Sequence, residues 1–215
     1  MRTLCLIAVA ALDFAAFPAS ACSPGPDYRV PSNLEQVRQA ETIVLAQVVA
    51  GQLDLANEDP FESTITLRPL AALKGALPAG EIALKGLMLS RDAGPELGML
   101  SDPHEFERAH PGSYAGACIR FVFPLGTTAL FFLRRGDDGL WAPAGDPFTR
   151  WAEDVTGSDA PWVELVRRYV QAAALPAAER TAWLAQQREA LRADDGDVAQ
   201  LMAQDIARQL AAPGS

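Results

Sequence analysis

The chain has 215 residues, of which 49% are hydrophobic, and a formal net charge of −9. This is enough for one good-sized core, or for one domain with an appendage. An acidic chain with no long Lys/Arg cluster argues against binding to nucleic-acid phosphates, and equally against attraction to an anionic lipid surface. The sixteen Gly and sixteen Pro are scattered, which indicates many turns and no low-complexity tract.

The first 21 residues read as an export signal. Arg2 is a short positive start, Leu4 to Leu12 is an apolar run, and Ala19-Ser20-Ala21 has the small-x-small form of a cleavage site. Asp13 and Pro18 interrupt the run, and a retained membrane helix would need about 20 apolar residues. The mature chain is therefore expected to be secreted or periplasmic, in an oxidising compartment. Of the three cysteines, Cys5 leaves with the signal, and Cys22 and Cys118 remain. Two thiols allow one pairing, a Cys22–Cys118 disulfide. The alternative is lipidation of Cys22, because bacterial lipoproteins begin at a cysteine. That would leave a membrane-anchored protein, although Ala19 stands where such signals usually carry Leu.

After Cys22 the chain is extended and broken by Pro24, Pro26 and Pro31. A short helix is expected over 33–40, capped by Ser32 or Asn33, with Leu34, Val37 and Ala40 on one face. Residues 42–50 are β-branched and apolar on both faces, the pattern of a central strand. After an acidic loop, 61–67 alternates as a second strand. Arg68-Pro69-Leu70 then marks a bulge, and the strand ends at Leu73-Lys74-Gly75. A third strand is expected over 82–88. From Ser90 to Ala117 the pattern is lost, in a segment far longer than an ordinary connection. Strands follow at 118–123, 128–133 and 140–144, with Asp138-Gly139 in the hairpin turn between the last two. Five or six short strands in about 100 residues suggest a small barrel.

The tail, residues 159–212, is expected to be helical. Asp159 is expected to cap the first helix, with Pro161 in its first turn; Pro176 starts the second, and Asp197 caps the third. Trp162, Leu165, Val166, Tyr169 and Val170 form the apolar stripe of the first helix. Short, Ala-rich helices are marginal alone, so the first should dock on the sheet and the other two should pair.

Taken together, an N-terminal Cys22-Ser23-Pro24, a strand Ile43-Val-Leu-Ala-Gln-Val-Val, a strand ending Leu73-Lys74-Gly75, a mid-chain Cys118 and the strand Ala129-Leu-Phe-Phe-Leu133 resemble the netrin-like module. That module is the OB-type barrel also found in tissue inhibitors of metalloproteinases. The resemblance covers about residues 22–145 and implies an α+β fold, an OB-like barrel domain over 22–150 with an irregular insertion at about 90–117, followed by the helical tail. It also implies a function. In those inhibitors the α-amino group and carbonyl of the first cysteine chelate the target's zinc, and the next side chain enters the specificity pocket. Carried over, Cys22 would supply the chelating terminus and Ser23 the pocket residue. Pro24 stands where those inhibitors have a second cysteine.

No catalytic motif competes with that reading. The two histidines, His104 and His110, are six apart and do not form His-Glu-x-x-His; they are weak metal-ligand candidates within an acidic, solvated loop. Gly112-Ser113-Tyr114 lacks the glycine spacing of a nucleophile elbow. Arg135-Gly136-Asp137 reads as turn chemistry, and Asp194-Asp195-Gly196-Asp197 as helix capping. Trp141, Phe148, Trp151 and Trp162 read as the seam between barrel and tail. The expectation is an exported, non-catalytic module with no cofactor. Its partner would be another protein, such as an extracytoplasmic metalloprotease. A structural or assembly role as an envelope lipoprotein is the alternative, and a metal-dependent enzyme using His104 and His110 is a third reading.

Overall fold

The computed structural model describes residues 25–52, 62–90 and 99–212. The export signal, Cys22, Ser23 and most of the acidic loop after the first strand lie outside the described residues.

The fold is mixed α+β: an antiparallel sheet followed by three helices. Helix α1 (Asn33–Gln39) opens it with a capping box. Ser32 accepts from the Glu35 backbone N–H, and the Glu35 carboxylate accepts from the Ser32 backbone N–H. Arg29 grips the same carboxylate through two bonds of 2.8 and 2.6 Å and, as its main partner, holds the Glu35 pKa down at about 2. Strands β1 (Thr42–Gln52), β2 (Thr64–Lys74) and β3 (Ile82–Lys85) form a meander. Strand β6 (Thr128–Arg135) returns antiparallel on the other side of β1, and β7 (Trp141–Pro143) pairs with β6. The hydrogen-bonded order is β3-β2-β1-β6-β7, and among the described residues this ladder does not close into a ring.

The central strands behave as their composition requires. Ile43, Val44, Leu45, Ala46 and Val48 of β1 are buried, as are Ala129 to Leu133 of β6. Both faces of the sheet are covered, and β6 shows how. Phe131 meets Phe123 and Trp151 on one face, while its neighbour Phe132 meets Trp162 of the first tail helix on the other. The register of β1 against β2 shifts between Leu45 and Ala46, which face Ala71 and Pro69 and leave Leu70 unpaired, at the expected bulge. Lys74 then reaches back to the open end of α1, donating to the Val37 (2.8 Å), Arg38 (3.2 Å) and Ala40 carbonyls. Gly75 follows at φ 73°, and a Cβ there would lie 2.8 Å from the Glu41 carbonyl oxygen. The Lys74-Gly75 pair thus binds helix α1 to the sheet.

Four expectations need correction. The third strand is split: Gly86, at φ 74°, ends β3, and Met88–Leu89 (β4) leaves the sheet to pair in parallel with Val122–Phe123 (β5). The strand expected over 118–123 is reduced to β5, because Cys118 takes φ 60° and Arg120 turns inward. Sequence reasoning missed Ala152–Asp154 (β8), which pairs with the start of β6 below β7. Asp159 and Asp197 are not N-caps. Those positions belong to Ala160 and Gly196, with Asp197 in the first turn, where its charge still favours the helix N-terminus.

The tail comprises α2 (Pro161–Ala174), α3 (Ala177–Arg192) and α4 (Asp197–Ala211). As expected, α2 reaches the sheet, at β2, and α3 and α4 pair with each other; α2 also packs against α1, which was not foreseen. The apolar residues of α2 and α4 belong to the same core cluster as the sheet. No helix among the described residues is long and apolar enough to cross a membrane.

Candidate functional site

The N-terminal segment is anchored beside Cys118. Tyr28 packs edge-on against Phe148 at 6.2 Å between ring centroids and donates from its hydroxyl to the Pro147 carbonyl at 2.7 Å. Phe148 stacks in turn on Tyr114 at 5.5 Å, and its backbone N–H donates to the Cys118 carbonyl at 2.8 Å. Phe148 and Cys118 have φ of 64° and 60°, a left-handed conformation uncommon for residues with a Cβ. Two such residues in direct hydrogen-bond contact are held by their surroundings, and strain of this kind gathers at functional positions.

Tyr114 lies in the 99–117 segment, which is exposed around His104, as expected, but buried along another side. Phe106, Ala109, His110 and Ser113 are buried, and Pro111–Tyr114 is a turn of 3-10 helix. The segment rests on a network of buried charges. Arg120 Nη2 donates to both carboxylate oxygens of Asp154, at 3.0 and 2.9 Å. Arg150 lies 3.7 Å from Glu153, and both are almost fully buried. Glu153 also accepts from the Ser101 hydroxyl at 2.6 Å and the His110 backbone N–H at 3.0 Å. Asp154 accepts from the Ser101 backbone N–H at 2.9 Å. Strand β8 therefore presents two carboxylates that hold the insertion in place. A cleft of about 420 Å³ opens beside Glu153, lined in part by Met99, Leu100, Arg108, His110, Tyr114 and Arg150.

The candidates fall apart in space and in chemistry. Cys22 and Ser23 lie outside the described residues. His104 is exposed, 3.9 Å from Asp102. His110 is committed twice: its Nδ1 accepts from the Gly112 N–H at 2.9 Å, so its Nε2 carries the proton and faces the Met99 carbonyl at 2.7 Å. Neither ring nitrogen is left for a metal, and the described residues contain no group of three or more His, Cys, Asp or Glu able to hold one. Arg135 lies over the Trp141 ring at 3.8 Å and donates to the Gly139 carbonyl, so Arg135-Gly136-Asp137 is turn chemistry. The four aromatics do not form one seam. Trp151 packs with Phe123 and Phe131, Phe148 with Tyr28 and Tyr114, and only Trp162 lies between sheet and tail.

Burial, and then the nearby Arg120 cation, push the His110 pKa below its ordinary 6.5. A histidine with a depressed pKa contributes stability that is present above the unfolded value and lost as pH falls through the folded one. The urea midpoint should therefore drop between pH 7 and pH 5. His104→Ala should keep that drop and His110→Phe should remove most of it. An equal drop in all three proteins would contradict the assignment.

Sequence reasoning missed Arg120, Arg150, Glu153 and Asp154. The signal was faint: charged residues in short apolar stretches, at positions whose facing was hidden by the missed strand. Comparison with protein-family models and with curated proteins finds no match.

Proposed function

We propose that the chain is an exported, non-catalytic protein-binding module built on an OB-type barrel, whose N-terminus at Cys22 contacts an extracytoplasmic metalloprotease. The strand order supports the barrel. A meander β1-β2-β3, a return of β6 against β1, and the proximity of β7 to β3 are compatible with the partly open five-stranded arrangement of such folds.

The observation that carries the functional reading is the anchoring of the N-terminal segment. Tyr28 is fixed to the loop whose Phe148 holds the Cys118 carbonyl, and a turn links Tyr28 to Gly25 by a 3.0 Å bond. Gly25 is only three residues from Cys22, at most ~11 Å of chain. A Cys22–Cys118 disulfide would fix the terminus beside Phe148, whose N–H donates to the Cys118 carbonyl. A fixed terminus suits chelation, because an α-amine with a pKa near 8 is partly neutral at physiological pH and can ligate a partner's zinc.

The test uses the mature protein beginning at Cys22 and an extracytoplasmic zinc metalloprotease of the same host. Inhibition is expected, and one extra residue before Cys22 should weaken it by ~100-fold or more, since the amine is then an amide. Equal inhibition by both forms would remove the chelation mechanism. Absence of inhibition by the mature form would remove the metalloprotease as partner.

A further inference from the structure

His110 lies in the wall of the 420 Å³ cleft, 2% exposed, and its ring is matched to its neighbours in one protonation state only. Nδ1 accepts from the Gly112 N–H at 2.9 Å, and the proton on Nε2 goes to the Met99 carbonyl at 2.7 Å. The first of these bonds caps the 3-10 turn Pro111–Tyr114, with His110 as its N-cap residue. The ring lies directly against that backbone: a Cβ on Gly112 would stand 3.0 Å from Nδ1. A second proton on the ring must sit on Nδ1. It then points at another N–H across 2.9 Å, and two donors face each other with no acceptor between them. The charged ring and the turn cannot both keep their present places.

The charges around the ring do not remove this conflict. Glu153 and Asp154 on β8 favour the cation, and Arg120 opposes it. Glu153, however, already accepts from the His110 backbone N–H and the Ser101 hydroxyl, and Asp154 from Arg120 and the Ser101 N–H. Arg150 lies against Glu153, 3.7 Å away. Asp102, Glu105 and Arg108 line the cleft with His110, and the Glu105 carboxylate accepts from the Glu107 and Arg108 N–H groups. A ring that rotates toward any of these carboxylates takes Nδ1 away from Gly112, so the cap is lost by that route too.

The turn carries Tyr114, which is 40% exposed and leaves without opening the core. Its ring stacks on Phe148, and Phe148 in turn bears on Tyr28 and on the Cys118 carbonyl. We infer that His110 is an acid-operated latch: its protonation expels the Gly112 N–H, opens the Pro111–Tyr114 turn and lifts Tyr114 from Phe148, loosening the N-terminal segment at Tyr28 while the sheet and the tail helices stay folded. Local openings of this kind cost less than global unfolding, and histidine is the side chain that triggers them near neutral pH. Burial and Arg120 put the titration below the ordinary 6.5, so the latch is closed at pH 7 and opens in acid. It rests on the geometry at His110 alone and is independent of the N-terminal contact proposed above.

The test is an NMR titration of the mature full chain from about pH 7.5 to about pH 4.5. The His110 ring nitrogens should report the Nε2–H form at the neutral end and a single protonation step. The Gly112 amide and the Tyr114 and Phe148 rings should move with the same midpoint. Exchange of the Gly112 N–H, corrected for its intrinsic pH dependence, should speed up ~10-fold or more across that step. Val44 in β1 and Val166 in α2 should stay in place. His110→Asn keeps an acceptor at the cap and does not titrate, so it should hold the turn closed throughout, whereas His104→Ala should leave the transition intact. The inference is overturned if His110 stays neutral over the whole range, or if Gly112 and Tyr114 keep their positions once its ring is protonated. A transition that persists in His110→Asn also overturns it. So does loss of the native Val44 and Val166 signals at the same midpoint, which would make the event global unfolding. If His110→Asn does not fold, the shared midpoint in the parent protein decides.

Discussion

Replacing Arg120 by methionine should cost about 3–5 kcal/mol in urea unfolding, one of the two largest effects expected anywhere in the chain. Arg120 is 1% exposed, and the side chain of its partner Asp154 is 6% exposed. Its guanidinium holds both oxygens of Asp154 and donates to the Ala152 carbonyl at 3.2 Å, and it lies 4.4 Å above the Phe123 ring. Methionine restores the volume and leaves the Asp154 carboxylate buried with only Ser101 for company. The penalty is therefore that of an unpaired buried charge, not of a lost contact. A second change separates these two causes. Arg120→Met with Asp154→Leu removes both charges and should recover at least half of the loss. If the double variant is as unstable as the single one, packing and not charge governs the site.

The second large effect is at Asp205, where Asp205→Ala should cost about 2–4 kcal/mol, measured in the same way. This carboxylate, on α4, is 1% exposed and joins three elements. It accepts from the Tyr169 hydroxyl on α2, from Asn33 Nδ2 at the start of α1 at 3.1 Å, and from Arg208 at 2.8 Å. Asn33 also donates to the Phe106 carbonyl at 2.8 Å, so the same knot reaches the insertion. Burial pushes the Asp205 pKa up although the donors pull it down, so the charge itself is costly there. Asp205→Asn should accordingly cost less than alanine, since it drops the charge and keeps an acceptor for Tyr169. Alanine within 0.5 kcal/mol of the parent would mean that α4 is held by its apolar face alone.

The parts of the fold that were legible in the sequence are those governed by local chemistry. The α1 start capped by Ser32, the doubly apolar β1 and β6, the bulge near Leu70 and the Asp138-Gly139 turn all follow from residue type and spacing. The features that were not legible depend on distant partners. Strand β8 is three residues long and looks like part of a loop until Trp151 and Ala152 are seen to be buried against β6 and β5. Arg120 sits in what reads as an alternating strand, where an arginine is expected to face water; its partner Asp154 is 34 residues away. The 90–117 stretch has no period, and Gly, Pro and charge dominate it. Its described part is nevertheless held by β8, through contacts to Glu153 and Asp154 that no window of sequence contains. His110 was legible as chemistry but not as structure. Its two bonds, to Gly112 and Met99, turn a metal-ligand candidate into a brace of the insertion.

The fate of Cys22 decides whether the terminus can chelate zinc, and intact mass with non-reducing peptide mapping of the protein from its native host tests this directly. The predicted result is a chain beginning at a free α-amino group on Cys22, two hydrogens lighter than the reduced mature sequence, with the peptides of Cys22 and Cys118 joined and no thiol to label. An acylated Cys22, a mass corresponding to an uncleaved N-terminus, or a Cys118 that takes up label without reduction would contradict it.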